Sequence, residues 1–237
     1  MIDSHCHLDF QTLASKIDVI IENSKKNNIN SLLSINTHPN TFNSHLNLIK
    51  NYSGVYISYG FHPCEINSME DLSILDFDKH CNNPYVVGIG ETGIDLFHSS
   101  SLIKEQIKSF ELHIEASIKY KLPLIIHQRN SENEIIKILN NYTKLNLNVV
   151  FHCFAGTKKL INFCLKNNYY ISLSGIITFK NSSELRDVIK DYPLELLLIE
   201  TDSPYLAPVP MRGKTNEPSY IKYTAEYLSN FYNLSFN

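Results

Sequence analysis

Eight short apolar segments recur along this chain of 237 residues, and stretches with helical periodicity separate them. Most of these segments are continuously apolar, which is typical of parallel strands that are covered on both faces. Eight strand–helix units of roughly 30 residues each predict a (β/α)8 TIM barrel of the α/β class. The predicted strands cover residues 2–5, 32–36, 55–60, 86–90, 124–127, 149–152, 170–174 and 196–201.

The stretches between the strands carry apolar stripes at helical spacing, one of them running from Ile103 to Ile114. We expect these stripes to face the core. Ser131 and Glu134 have the spacing of a capping box, which predicts reciprocal side-chain caps at a helix start. The alternative architecture is a doubly wound open sheet, but no GxGxxG motif follows the first strand. Because no linker rich in Pro, Gly or Ser interrupts the chain, we predict one domain over residues 1–237.

Charge and composition exclude several classes of protein. The chain has 21 basic and 24 acidic residues, a net charge of −3, which excludes a protein that coats nucleic acid through bulk positive charge. The net charge does not exclude a nucleic-acid enzyme that has a local basic rim or a bound cation. The five cysteines form no CxxC pair and no export signal is evident, which predicts a reducing cytoplasm. No apolar run approaches the roughly 18 residues of a membrane span, so we expect no membrane partner.

Ionisable side chains follow six of the predicted strands at their carboxyl ends, where parallel barrels carry their active sites. A buried rim is a costly place for an imidazole or a carboxylate unless the group is paired or binds a metal. The residues concerned are His5, His7, His62, Glu91, His127, His152 and Asp202.

The pattern His5-Cys6-His7 places two imidazoles on the same side of a strand and turns the thiol to the other side. Glu91 is framed by glycines, which let a backbone or a metal approach closely. Taken alone, each feature has a plain structural interpretation, such as a core histidine or a glycine-rich turn. Their coincidence favours a metal site. Glu200 has the same parity as Asp202, and we interpret it as a supporting carboxylate rather than a ligand.

Four histidines and two carboxylates suffice for two divalent ions. One division gives His5, His7 and Asp202 to one ion and His127 and His152 to the other, with Glu91 bridging them. Two ions roughly 3.5–4 Å apart can activate a shared water and clamp a phosphoryl or carbonyl group. Histidine-rich sites favour Zn, Mn, Co or Ni over Mg by ligand softness, while availability keeps Mg open.

Six ordered motifs resemble those of the TatD-type metal-dependent deoxyribonucleases of the amidohydrolase superfamily. The resemblance spans nearly the whole chain and implies a TIM barrel, a divalent-metal site and hydrolysis of DNA phosphodiesters, often 3′→5′ on single strands. The motifs are DSHCHLDF at 3–10, GFHP at 60–63, GETGID at 90–95, LPLIIHQR at 122–129, FHCFAG at 151–156 and ETDSPYLAPVPMRGKTNEP at 200–218.

The resemblance implies the same six metal ligands as the strand-end argument. Among these ligands, we expect Glu91 and Asp202 to be catalytic, with Asp202 accepting a proton. We also expect His62, which is not a ligand, to handle a proton or contact the substrate beside the metals. We predict three cationic contacts to a DNA substrate: Arg129 at the phosphate, and Arg212 and Lys214 in a basic rim. The chain departs from the family pattern at some positions, such as Met211 where the family commonly has a His, and these departures bear on substrate choice. We expect a monomer with no obligate protein partner.

A second class of function uses the same ligands. A small-molecule amidohydrolase would attack an amide, a lactone or an aminoacyl ester, because loops outside the metal site set the substrate class. A third class is a non-catalytic scaffold. The complete ligand set argues against the scaffold, since buried charges without a metal cost stability.

Overall fold

One parallel sheet of eight strands, in sequence order, forms a nearly closed barrel. The computed structural model describes residues 1–235, so the last two residues of the predicted domain lie outside the described part. The predicted TIM barrel is confirmed. Its strands are β1 (Ile2–Cys6), β2 (Ser31–Ser34), β3 (Val55–Tyr59), β4 (Val86–Asp95), β5 (Leu124–Arg129), β6 (Val149–Phe151), β7 (Tyr170–Leu173) and β8 (Leu197–Ile199).

Helices alternate with the strands and bury their apolar stripes against them. None of the helices in the described part of the chain is long and apolar enough to cross a membrane. The α-helices are α1 (Gln11–Ala14), α2 (Ile17–Lys26), α3 (Phe42–Ile49), α4 (Phe77–His80), α5 (Ile103–Tyr120), α6 (Glu132–Leu139), α7 (Lys158–Lys166), α8 (Ser183–Ile189) and α9 (Ile221–Phe231).

The helix start at Ser131 differs from the predicted capping box. Ser131 is the residue before α6, but its side chain caps no amide of the helix. Its hydroxyl instead donates a 2.6 Å hydrogen bond to the carbonyl oxygen of Ile94 in β4. The predicted capping box is therefore wrong, because Ser131 Oγ is oriented toward the Ile94 carbonyl and accepts no hydrogen bond from an amide of α6.

Strand β4 runs five residues beyond its predicted end and carries the GETGID motif inside the sheet. In the ladder with β5, Gly93 pairs with His127 and Asp95 pairs with Arg129. Gly93 has a φ of 138°, and a Cβ there would lie 2.0 Å from the carbonyl oxygen of His127. Only a residue without a side chain lets the two strands come this close.

Side-chain and backbone hydrogen bonds join β1 to the segment after β8. The Asp3 carboxylate accepts hydrogen bonds from the amide of Thr201, at 2.9 Å, and from its hydroxyl, at 2.6 Å. The amide of Asp202 donates to the carbonyl oxygen of His5 at 2.9 Å. This closure brings the first and the last polar motifs of the chain side by side at the carboxyl ends of the strands.

Candidate metal centre

The structure brings the six predicted ligand residues together at the mouth of the barrel. They come from β1 and the residue after it, from β4 and β5, and from the residues that follow β6 and β8. Four of them are buried, and His127 and Asp202 are partly exposed to the cleft above. The six are His5, His7, Glu91, His127, His152 and Asp202.

The two histidines of β1 face Asp202. His7 Nε2 lies 3.3 Å and His5 Nε2 lies 3.8 Å from Asp202 Oδ1. Between them, the Cys6 thiol points the other way and lies 3.4 Å from the carbonyl oxygen of Leu33. Strand alternation thus places both imidazoles on one side, and these three donors lie close enough together to hold one cation.

Glu91 lies between the two groups of histidines. Its Oε1 is 2.7 Å from His152 Nε2, 3.0 Å from His127 Nδ1 and 3.5 Å from His62 Nε2. Its Oε2 is 3.4 Å from His5 Nε2. Because its two oxygens face different imidazoles, Glu91 has the position of a bridging ligand.

Electrostatics keep Glu91 ionised in this buried position. Burial opposes the charge, but the surrounding imidazoles, first His152 and then His62 and His5, outweigh it and hold the pKa of Glu91 well below its usual range. The same contact acts on the partner: burial lowers the pKa of His152, yet Glu91 and Glu200 raise it well above its ordinary value. The cluster therefore concentrates negative charge where a cation would replace the protons.

Two further carboxylates orient the histidines from behind. Asp95 Oδ2 lies 3.0 Å from His127 Nε2, which leaves Nδ1 of that ring facing Glu91. Glu200 Oε1 lies 3.6 Å from His152 Nδ1, and the other Glu200 oxygen accepts a hydrogen bond from the Ser172 hydroxyl. Carboxylates in this position fix the ring orientation of metal-binding histidines. Glu200 thus lies where a supporting carboxylate should.

The sequence prediction did not identify Asp95. The predicted strand ends at Gly90, although residues 91, 93 and 95 alternate and so share one face of a longer strand. Gln106 of α5 fixes the segment, since its side chain accepts from the amide of Asp95 at 2.8 Å and donates to the carbonyl oxygen of Ser99 at 2.7 Å.

A divalent cation fits this set of donors. Within residues 1–235, neither ring nitrogen of the fully buried His5 has a hydrogen-bond partner. Leaving a buried imidazole without a partner is costly, and a cation within reach of Nε2 would remove that cost. Imidazole nitrogens together with carboxylate oxygens suit Zn, Mn, Co and Ni. The role of the six residues as ligands stays a prediction.

Two open cavities meet at the centre. One has a volume of about 730 Å³ and the other about 550 Å³. His62 lines the second cavity. The residues that line both cavities are His127, Arg129, His152, Asp202 and Tyr205.

The three predicted cationic contacts lie in different places. Arg129 is exposed and lines both cavities, with its guanidinium 4.6 Å from the centroid of the Phe97 ring. Arg212 packs its guanidinium 4.0 Å from the centroid of the Phe179 ring. Lys214 is exposed in the same loop, and neither it nor Arg212 is among the residues that line the two cavities. The structure thus brings only Arg129 to the centre.

A buried histidine on α5 positions the loop that carries His62. The His113 ring accepts a 3.0 Å hydrogen bond from the amide of Phe61 at Nε2, and its Nδ1 donates to the carbonyl oxygen of Ser109 at 2.7 Å. The contact with Phe61 requires the neutral ring with its proton on Nδ1, because a protonated Nε2 cannot accept a hydrogen bond. No local pattern predicts this pairing, because the residues are 52 positions apart.

We expect His113 to make stability depend on pH. Burial lowers its pKa from 6.5 to about 4. Below pH 6.5 the unfolded chain binds a proton that the folded chain excludes, so stability falls by about 3 kcal/mol as the pH drops toward 4. Urea denaturation across this range should show that His113→Gln loses less stability than the wild type on acidification. Equal losses in the two proteins would contradict this role.

Comparison with known proteins identifies the family of this chain. The model of the family described as TatD related DNase matches residues 2–237. A relative in Buchnera aphidicola, named as the uncharacterized metal-dependent hydrolase BU355, is 40% identical over 97% of this chain and 90% of its own length. The metal-dependent hydrolase YcfH of Escherichia coli is 33% identical over 97% of this chain and 87% of its own length.

A solved structure has the same architecture. The crystal structure of YjjV, a TatD homologue from Escherichia coli, superposes with a TM-score of 0.89 at 26% identity. The match covers 98% of this chain and 90% of that chain. The two chains therefore share one fold over nearly their whole lengths.

Proposed function

The chain belongs to the family of TatD-related DNases and is a metal-dependent hydrolase, and from this premise we propose that it cleaves DNA phosphodiester bonds, as a 3′→5′ exonuclease on single strands. The observation that carries the proposal is the junction of two open cavities at the metal centre. Each cavity alone has the volume of a small-molecule pocket, roughly 300–1,000 Å³, and the two adjoin at the centre. A polymer can therefore cross the centre with a nucleotide on either side of the cleaved bond.

The candidate centre would hold two divalent ions, from among Mg, Mn, Zn, Co and Ni, through the six residues described. Bound there, they would supply Lewis acidity to the phosphoryl group and lower the pKa of water. Of the two carboxylates, Asp202 is the one that substrate and water can reach, since its side chain is 15% exposed against 3% for Glu91. We assign to the Asp202 carboxylate the role of accepting a proton, and to Glu91 the role of holding the two ions together.

The chain's own donors would orient the phosphate. His62 Nδ1 accepts a 3.1 Å hydrogen bond from the amide of Cys64, so the proton of the neutral ring resides on Nε2, which faces the centre. A neutral N–H at that point can donate to a phosphate oxygen. Arg129 adds a positive charge on the wall that the two cavities share.

The test is an assay with 5′-labelled single-stranded DNA and each of Mg²⁺, Mn²⁺ and Co²⁺. We expect a ladder of products shortened from the 3′ end, and no ladder from a Glu91→Gln protein purified in parallel, which controls for a contaminating nuclease. Cleavage inside the strand without such a ladder would overturn the exonuclease assignment. Turnover of amides, lactones or aminoacyl esters, with DNA left intact, would overturn the DNA assignment.

The His62→Ala variant should cleave DNA about 10²-fold more slowly, because alanine has no side-chain hydrogen-bond donor for the phosphate. We expect its metal content, measured by elemental analysis, to stay that of the wild type. His38→Ala is a matched control, since His38 Nδ1 also accepts a 3.1 Å hydrogen bond from the amide two residues later. His38 lines neither cavity. Equal rates for the two variants would refute the role of His62.

A further inference from the structure

A second cluster of side chains that could hold a metal ion lies beside the candidate centre and shares none of its six predicted ligands. Cys64 follows β3 in a short 3₁₀ turn, Asp95 ends β4, and His98 lies in the loop after β4. Each offers one ligand atom, and these atoms all lie within 4.8 Å of one another. The three residues come from two chain segments, which the pairing of β3 with β4 brings together.

The carboxylate at the middle of this cluster is fixed before any ligand arrives. Asp95 Oδ1 accepts hydrogen bonds from the amides of Phe97 and His98 at 2.9 and 2.8 Å. Asp95 Oδ2 lies 2.9 Å from His98 Nδ1. The side chain of Asp95 is only 1% exposed, and these contacts hold its oxygens in place beside the His98 ring.

The cluster opens onto solvent on one side. Cys64, Asp95 and His98 all line the cavity of about 550 Å³, and the His98 side chain is 51% exposed. A thiolate, an imidazole and a carboxylate with one free position form the donor set of an open zinc site. The thiolate selects for soft divalent ions over Mg²⁺ and Ca²⁺.

We propose that Cys64, Asp95 and His98 form a separate site for a thiophilic divalent cation, Zn²⁺ or Co²⁺, whose open position faces the cavity. Binding replaces the proton of the Cys64 thiol, which is released to solvent, and the proton of the neutral His98 ring moves from Nδ1 to the other ring nitrogen, Nε2. The cation would then lie between the sulfur, the carboxylate and His98 Nδ1. Its open position takes a water oxygen. If the proposed function holds, a phosphate oxygen of a neighbouring nucleotide can take that water's place.

The site would also be coupled to the candidate centre. Asp95 Oδ2 lies 3.0 Å from His127 Nε2, so the carboxylate that binds the outer cation also orients a histidine of the centre. In the alternative interpretation no cation binds, and Cys64 and His98 only pack around Asp95. These two interpretations differ in one measurable way, because only the first requires a metal–sulfur bond.

The test uses the full chain, stripped of metal with a chelator and titrated with Co²⁺ in the absence of DNA. A bond from the Cys64 sulfur to Co²⁺ gives a near-ultraviolet charge-transfer band. We expect this band in the wild type, its loss in Cys64→Ser, and one cobalt fewer per chain in that variant. Cys153→Ser, which changes a partly buried cysteine of the neighbouring cavity, should keep the band.

Absence of the band in the wild type, or its persistence in Cys64→Ser, would overturn the proposal. Should Cys64→Ser fold poorly, His98→Gln changes a half-exposed ring and tests the same site. We expect it to weaken the affinity for the outer cobalt by at least about tenfold in competition with a chelator, and an unchanged affinity would count against the site. No readout involves DNA, so failure here is distinguishable from failure of the proposed function.

Discussion

Glu91→Gln is expected to slow DNA hydrolysis by at least about 10³-fold while leaving the fold intact. The amide has the shape of the carboxylate but carries no charge and cannot bind two cations through two equivalent oxygens. Both Glu91 oxygens face imidazoles of the cluster, so the variant loses the carboxylate that lies between the two groups of histidines. Rates on single-stranded DNA, the metal content per chain and circular dichroism together measure this expectation.

Glu65→Gln is the matched control for this variant. Glu65 is exposed and lines the same cavity as Glu91, and it makes no contact with the histidines of the centre. Its replacement should change the rate by less than about tenfold. A Glu91→Gln protein that binds metal and turns over within tenfold of the wild type would disprove the bridging assignment.

Gly93→Ala is expected to destabilise the protein by at least about 4 kcal/mol, or to prevent it from folding. A Cβ on Gly93 would lie 2.0 Å from the carbonyl oxygen of His127, and this backbone atom cannot move aside within the β4–β5 ladder. The φ of 138° adds strain for any residue with a side chain. Urea denaturation and the yield of soluble protein measure the loss.

Gly213→Ala separates backbone strain from the clash. Gly213 also has a positive φ, of 83°, but a Cβ there would meet nothing within 4 Å. We expect this variant to lose about 1–2 kcal/mol. If Gly93→Ala proved no less stable than Gly213→Ala, the close approach of β4 to His127 would not be what fixes glycine at this position.

The strands could be predicted because burial on both faces makes them continuously apolar. Each prediction also stopped near a polar residue, and the strand ends are where the six clustered side chains lie. The end of β4 was missed because glycines and a glutamate interrupt the apolar run, although the strand continues to Asp95. Alternation from Glu91 to Asp95 was the signal that extends it.

Residues that act through distant backbone atoms left no such signal. His113 lies beside Phe110 and Ile114 in an apolar stripe of α5, and its bond to the amide of Phe61 depends on how α5 packs over the end of β3. Arg212 pairs with an aromatic ring that comes from an earlier loop. Such pairings arise only once the tertiary structure exists, so periodicity and motif spacing carry no trace of them.

The hydrogen bonds between Asp3 and Thr201 join residues that are 198 positions apart in the sequence. During synthesis at about 5–20 residues per second, the first two histidines of the centre therefore wait about 10–40 s for Asp202 to be made. In that interval β1 has only β2 as a partner and its other edge stays open to pairing with foreign strands. A ribosome-bound fragment that ends before β8 lacks Asp202 and cannot assemble the predicted His5–His7–Asp202 group.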